Sequence, residues 1–207
     1  QKIIEESPSP SVPPEVRQKM GDAAVRAAKQ ISYIGAGTIE FIFDNTTKDF
    51  YFMEMNTRLQ VEHPITELVT GVDLVREQIF VALGHPLSFK QEDLKQKGHA
   101  IEVRICAEDP VTYKPSPGLI RACRHPQGPF VRCDSYAYPG YEVPIYYDPM
   151  IAKVITWGET RAEAIDRMDR ALSEFILSGI KSNIVLHRTI LKHPKFIDGS
   201  YTTQFLE

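Results

Sequence analysis

Two β-prone runs, "TIEFIFD" (38–44) and "FYFMEMN" (50–56), are separated only by "NTTKD" (45–49). A loop that short joins antiparallel neighbours, so this part of the chain is committed to a hairpin. Beyond it the chain continues as "MEMNTRLQVEHP" (53–64), with Glu54, Asn56, Arg58, Gln60 and Glu62 at every second position. Alternate residues of an extended segment point the same way. On the first strand Ile39, Phe41 and Phe43 take one face, and Thr38, Glu40 and Ile42 the other. A register that sets Glu40 near Glu54 brings two carboxylates and the Asn56 amide oxygen to one spot. Two carboxylates about 4 Å apart repel by roughly 4 kcal/mol at an effective dielectric near 20. A shared proton, an arginine or a cation relieves that. An all-oxygen set suits a hard ion such as Mg²⁺. For the two glutamates alone, a solvated, salt-bridged sheet face is the commoner outcome.

Three further groups bear on the choice. Arg58 follows the acidic group, and its guanidinium suits a planar oxyanion in bidentate fashion. Glu62 lies four residues further on, where Arg58 would hold it ionised, the state a general base needs. Backbone N–H groups along Gln60-Val61 add donors. A simple Arg58–Glu62 ion pair bracing a loop is the bland counterpart. In "HAIEVRICA" (99–107) Ile101, Val103 and Ile105 alternate with Glu102, Arg104 and Cys106, which puts Arg104 on a polar face, open to a ligand or merely to water.

Around these residues the pattern predicts mixed α and β structure. Lys2–Glu6 reads as a strand. A helix is expected over 14–31 with Val16, Met20, Ala23, Ala27 and Ile31 inward. A second, interrupted near Gly71, carries Leu68, Val72, Val75 and Ile79 inward, with Gly84 as its stop. The polar stretch 88–98 marks a domain boundary. Short strands follow at 99–107, 119–124, 130–134 and 151–157. A helix capped by Thr160 and Glu163 then shows the stripe Ile165, Met168, Leu172 and Phe175, with Gly179 closing it. A last helix runs over 183–192.

The formal net charge of −3 comes with acids and bases interspersed, which argues against a nucleic-acid footprint. No run is long and apolar enough for a membrane helix, and no signal peptide opens the chain. The unpaired spacing of Cys106, Cys123 and Cys133 suggests free thiols in a reducing compartment. The histidines lack zinc spacing, and no nucleophile motif or Walker loop is present.

At "FMEMNTRLQVEHP", with "EFIF" upstream and "GHAIEVRICAEDP" downstream, the chain resembles biotin carboxylase, the ATP-grasp component of the biotin-dependent carboxylases. The likeness also takes in "QKIIEE", "ITELVTGVDLVREQI", "PSPG", "YYDPMIAKVITWG" and "GIKSNI", nearly the whole chain. The Glu…Glu-x-Asn part is shared by ATP-grasp enzymes at large; "NTRLQVEHP" is far narrower. The resemblance implies an α+β fold. Residues 1–97 would form the antiparallel-sheet second half of an ATP-grasp domain, and residues 98–207 the small α+β C-terminal domain of biotin carboxylases.

It also implies roles. Glu40, Glu54 and Asn56 would hold Mg²⁺ (or Mn²⁺) on ATP, with Glu40 and Glu54 also facing the nucleotide. Lys2, Arg58 and the Val61 backbone would bind bicarbonate. Glu62 would deprotonate bicarbonate as it attacks the γ-phosphate, giving carboxyphosphate. Arg104 would bind biotin and stabilise its enolate. The family's N-terminal domain, glycine-rich lid and biotinylation motif lie outside this sequence. Biotin would therefore arrive on a separate carrier, either a domain or another polypeptide, and the chain would be the C-terminal half of such an enzyme, able to fold but not to turn over alone. The expected partners are that carrier, a carboxyltransferase component, the N-terminal half and a second copy in a homodimer. The expected setting is an acyl-CoA carboxylase of fatty acid biosynthesis or a pyruvate carboxylase, in the cytoplasm or the mitochondrial matrix. The alternatives are a bicarbonate-activating ligase of carbamoyl-phosphate type and a non-catalytic dimerisation module.

Overall fold

The structure, a computed structural model, describes residues 2–206. Its first elements are β1 (Ile4–Ser7), α1 (Pro14–Gln30), β2 (Thr38–Phe43), β3 (Phe50–Asn56), α2 (His63–Thr70) and α3 (Leu74–Ala82). There follow β4 (His99–Cys106), β5 (Gly118–Leu119), β6 (Ala122–Arg124), β7 (Val131–Ser135), β8 (Glu142–Val143) and β9 (Met150–Gly158). The chain closes with α4 (Arg161–Glu174), β10 (Ile176–Ser178), α5 (Ile184–Leu191) and α6 (Pro194–Ile197). The strands pair antiparallel, and the fold is α+β. Among the described residues no helix is long and apolar enough to cross a membrane.

The chain divides into two compact units, one of Ser9–Gln96, the other of the residues up to Pro8 together with those from Lys97 on. The opening residues, expected in the first domain, thus belong to the second unit. The reason is strand pairing: Ile4 stands opposite Val103 and Ser7 opposite Ala100, so β1 completes the edge of a sheet ordered β1-β4-β9-β7.

That sheet carries the main core. Ile101, Val103, Ile105, Ile151, Val154, Met168 and Leu172 are buried in one cluster. The expected stripe of α4 is inward, with Ile165, Met168, Leu172 and Phe175 all buried. Its start is fixed chemically: Thr160 Oγ1 accepts from Glu163 N at 3.2 Å, and Glu163 Oε2 accepts from Glu159 N at 3.0 Å. Gly179 is not its stop. The helix ends at Glu174, and β10 intervenes to pair with β6. The alternation expected of β4 also fails. Glu102 is fully buried and Cys106 nearly so, because β4 is an inner strand flanked by β1 and β9.

In the Ser9–Gln96 unit the expected break falls at Gly71, whose φ of 75° places it in the left-handed region that favours glycine. Asp73 then caps a new helix, accepting from Arg76 N at 2.8 Å. The restart shifts the phase. Leu74, Glu77, Gln78 and Val81 line a cavity, while Val75 and Ile79, expected inward, are 44% and 56% exposed. In α1 only Val16 of the expected stripe is buried, and Ile31 lies beyond the helix and exposed. Gly84 at φ 82° follows the cap of α3, as its pattern predicts.

Candidate active site

The hairpin is set by its turn. Asp44 Oδ1 accepts from Thr46 N at 2.7 Å and from Thr47 N at 3.3 Å, an Asx turn that closes the loop locally. The register places Glu40 directly opposite Glu54 and Thr38 opposite Asn56, with a bulge between Glu40 and Phe41. Directly opposed residues share a face, so both carboxylates and the Asn56 amide meet as the alternation predicts. Asn56 Nδ2 donates to Glu40 Oε1 at 3.2 Å and to Glu54 Oε1 at 3.0 Å. The amide N–H₂ thus bridges two negative groups. Arg58 extends the chain of contacts, its Nη2 donating to Asn56 Oδ1 at 3.5 Å and its Nη1 to Leu59 O at 3.3 Å.

Past Arg58 the backbone leaves the sheet and turns into α2. His63 N and Nδ1 both approach Gln60 O, at 3.3 and 2.8 Å. Glu62 caps the helix, its carbonyl accepting from Ile65 N at 3.2 Å, and a carboxylate is favoured at a helix N-terminus. Arg58, Gln60 and Glu62 line a cavity of about 500 Å³, which Thr38, Glu77 and Leu94 also border. Gln60 Nε2 is buried there without a hydrogen-bond partner among the described residues. Glu77 is not singled out by the sequence pattern. Ser88 donates to it twice, at 3.0 Å from N and 2.6 Å from Oγ, and these bonds hold its carboxyl below the usual range. No local pattern marks it, because Ser88 lies in a connector beyond the helix.

Lys2 and Arg104 belong to the other unit. Lys2 sits just before β1 with φ at 50°. Arg104 projects from β4 and is paired: its Nε donates to Glu5 Oε1 at 2.7 Å, and its Nη2 also contacts that oxygen. Its carbonyl accepts from Asn183 Nδ2 at 2.9 Å and from His187 Nε2 at 2.8 Å. A carbonyl only accepts, so His187 carries its proton on Nε2. The sequence pattern does not mark Glu5, Asn183 or His187; "GIKSNI" contains Asn183, but nothing local ties it to Arg104. Cys106 and Cys133 are free thiols pushed up to about 12, by burial first, which leaves them unreactive at neutral pH.

Burial pushes His187 down from 6.5 to about 4, against the bond to the Arg104 carbonyl, which raises it. The folded protein therefore keeps it neutral at a pH where the unfolded chain is protonated. Stability from this residue is intact above about pH 6.5 and drains away down to about pH 4, by roughly 3 kcal/mol in all. Denaturant titrations across that window should show a flatter acid limb for His187→Gln than for the parent; equal slopes would refute the assignment.

Residues 102–207 match the family model for the biotin carboxylase C-terminal domain. The chain belongs to the biotin carboxylase family. Residues 1–90 match the model for the carbamoyl-phosphate synthase L chain ATP-binding domain. Biotin carboxylase 1 of Bacillus subtilis is 59% identical over 208 residues, covering 100% of this chain and 46% of the relative. The biotin carboxylase of Haemophilus influenzae is 55% identical over 207 residues, with 100% and 46% covered. The crystal structure of a biotin carboxylase–β,γ-ATP complex from Campylobacter jejuni superposes with a TM-score of 0.96 at 47% identity, covering 100% of this chain and 46% of that one. The biotin carboxylase domain dimer of Hydrogenobacter thermophilus 2-oxoglutarate carboxylase, in complex with MgADP, ADP and bicarbonate, gives 0.97 at 46%, with the same coverage. The chain thus spans less than half the length of these relatives.

Proposed function

We propose that this chain supplies the phosphate-side acids, the bicarbonate loop and the biotin-facing arginine of an enzyme that carboxylates biotin on a carrier at the expense of ATP. The observation that carries the reading is the convergence of Glu40 and Glu54 on one amide. Among the described residues no three His, Cys, Asp or Glu side chains form a metal-ligating group, so a third protein ligand here would be Asn56. A half-turn of its amide exchanges nitrogen for oxygen and makes an all-oxygen set, which fits Mg²⁺ or Mn²⁺. Such a cation, held by Glu40, Glu54 and Asn56, would offset charge on the nucleotide phosphates.

The remaining groups divide the work by charge. Arg58, Lys2 and the Val61 N–H bind bicarbonate; Glu62 takes its proton as a bicarbonate oxygen attacks the γ-phosphorus and ADP leaves. That step yields carboxyphosphate, the source of CO₂ for biotin. Arg104 stabilises negative charge on the biotin ureido oxygen, a role of fixed electrostatics. The carrier, the carboxyltransferase, the N-terminal half and a second copy are the proposed partners, in an acyl-CoA or pyruvate carboxylase of the cytoplasm or the mitochondrial matrix.

A second reading, a ligase of carbamoyl-phosphate type, takes its support from the match over residues 1–90. The full-length protein, given Mg·ATP and bicarbonate, separates the two. Free biotin should raise ADP release and accumulate carboxybiotin, whereas ammonia should do neither. Carbamoyl phosphate formed from ammonia, with no response to biotin, would reverse the choice.

A further inference from the structure

Arg104 sits where β1 runs out. Its N–H still reaches Ile3 O at 2.9 Å, but the ladder between the two strands ends at Ile4 opposite Val103. The N–H and C=O of one strand residue face the same side, and the residue two further on repeats that direction. The Arg104 carbonyl and both main-chain groups of Cys106 therefore point to a place that no strand among the described residues fills. Orphaned main-chain groups in a buried strand are costly.

Asn183 supplies a bond to each of these groups, and the Glu108 N–H also donates to Cys106 O, at 2.9 Å. The Nδ2 of Asn183 donates to Arg104 O at 2.9 Å, its Oδ1 accepts from Cys106 N at 2.9 Å, and its own N donates to Cys106 O at 3.2 Å. One residue thus does what a continuing β1 would do. His187, one turn along α5, adds its Nε2 bond to Arg104 O. Both residues are almost wholly buried, so neither can reorient freely. On the side-chain end, Glu5 engages the Nε and Nη2 edge of the guanidinium. A guanidinium gripped along that edge meets an anion in one orientation.

We infer that Asn183, His187 and Glu5 are positioning residues that fix the main chain and the guanidinium of Arg104 for its part in biotin carboxylation. The inference rests on the role proposed for Arg104. A misplacement of about 1 Å in a group that stabilises charge costs on the order of 100-fold. A residue that merely supports the fold would depress both half-reactions together.

The full-length enzyme is the material for the test, with carboxylation of free biotin and biotin-independent, bicarbonate-dependent ATP cleavage measured side by side. His187→Leu should lower kcat for biotin carboxylation by about 10–100-fold, and ATP cleavage by less than about threefold. His187→Gln, whose amide nitrogen falls near the place of Nε2, should recover most of the loss. Should His187→Leu not fold, Glu5→Gln carries the same expectation, since it removes the charge from the Arg104 pair. Equal losses in both reactions, or no loss in either, would overturn the positioning role. Arg104→Ala is the reference: if it carboxylates biotin normally, the reading of Arg104 is wrong and the inference falls with it. Impaired Arg104→Ala beside unimpaired His187→Leu and Glu5→Gln would sink the inference alone.

Discussion

Glu62→Gln, in the full-length enzyme, should lower bicarbonate-dependent ADP release by about 100- to 10,000-fold, the range in which a positioned general base contributes. Glutamine matches the size of the side chain and its hydrogen-bonding reach but cannot take a proton. The residue borders the same cavity as Arg58 and Gln60, and the chain reverses there, so the three are held by one turn. Substitution of the side chain leaves in place the main-chain bond from Ile65 N that starts α2. ATP affinity, read by calorimetry, should change by less than about threefold, because the change falls on a proton transfer and not on nucleotide binding. Turnover within a factor of two of the parent would exclude Glu62 as the base.

What was legible in the sequence is what local chemistry controls. The Asp44 turn sets the hairpin register, and the register sets Glu40 against Glu54; both follow from short-range pattern. Thr160 and Glu163 announce α4 for the same reason, since both members of the capping contact lie within one turn. Legibility ends where partners are distant. Nothing near Ile4–Ser7 says that it pairs with a strand beginning at His99, and without that pairing β4 reads as half-exposed. The same gap hid the surroundings of Arg104, whose polar contacts come from Glu5, Asn183 and His187. In α3 the apolar spacing of Val75 and Ile79 suggested an inward face, but the restart at Asp73 rotated the helix to turn Glu77 inward instead.

The largest stability effect should come from Glu6, whose side chain is 3% exposed. Its Oε2 accepts from His99 Nε2 at 2.6 Å and Arg161 Nε at 2.7 Å, and its Oε1 accepts from Arg161 Nη2 at 3.0 Å and Tyr201 OH at 2.5 Å. One carboxylate thus ties β1 to β4, α4 and the C-terminal segment. Burial raises its carboxyl, but the bonds from His99, Arg161 and Tyr201 outweigh that and hold it below the ordinary value of 4.5. For a depressed carboxyl the stabilisation is complete above that ordinary value and is lost as pH falls through the lowered folded one. Glu6→Gln removes the charge opposite Arg161, which is 17% exposed and keeps its bonds to the Phe196 and Ile197 carbonyls but loses its carboxylate, at a cost of about 3–5 kcal/mol. Thermal unfolding at pH 7 should show Tm lower by about 6–20 °C. Adding Arg161→Met to Glu6→Gln should cost less than the two single changes combined, because no buried charge is then left without its partner. Strict additivity of the two, or a Tm within about 2 °C of the parent for Glu6→Gln, would show that the cluster contributes nothing by its charge and that β1 is held by its ladder to β4 alone.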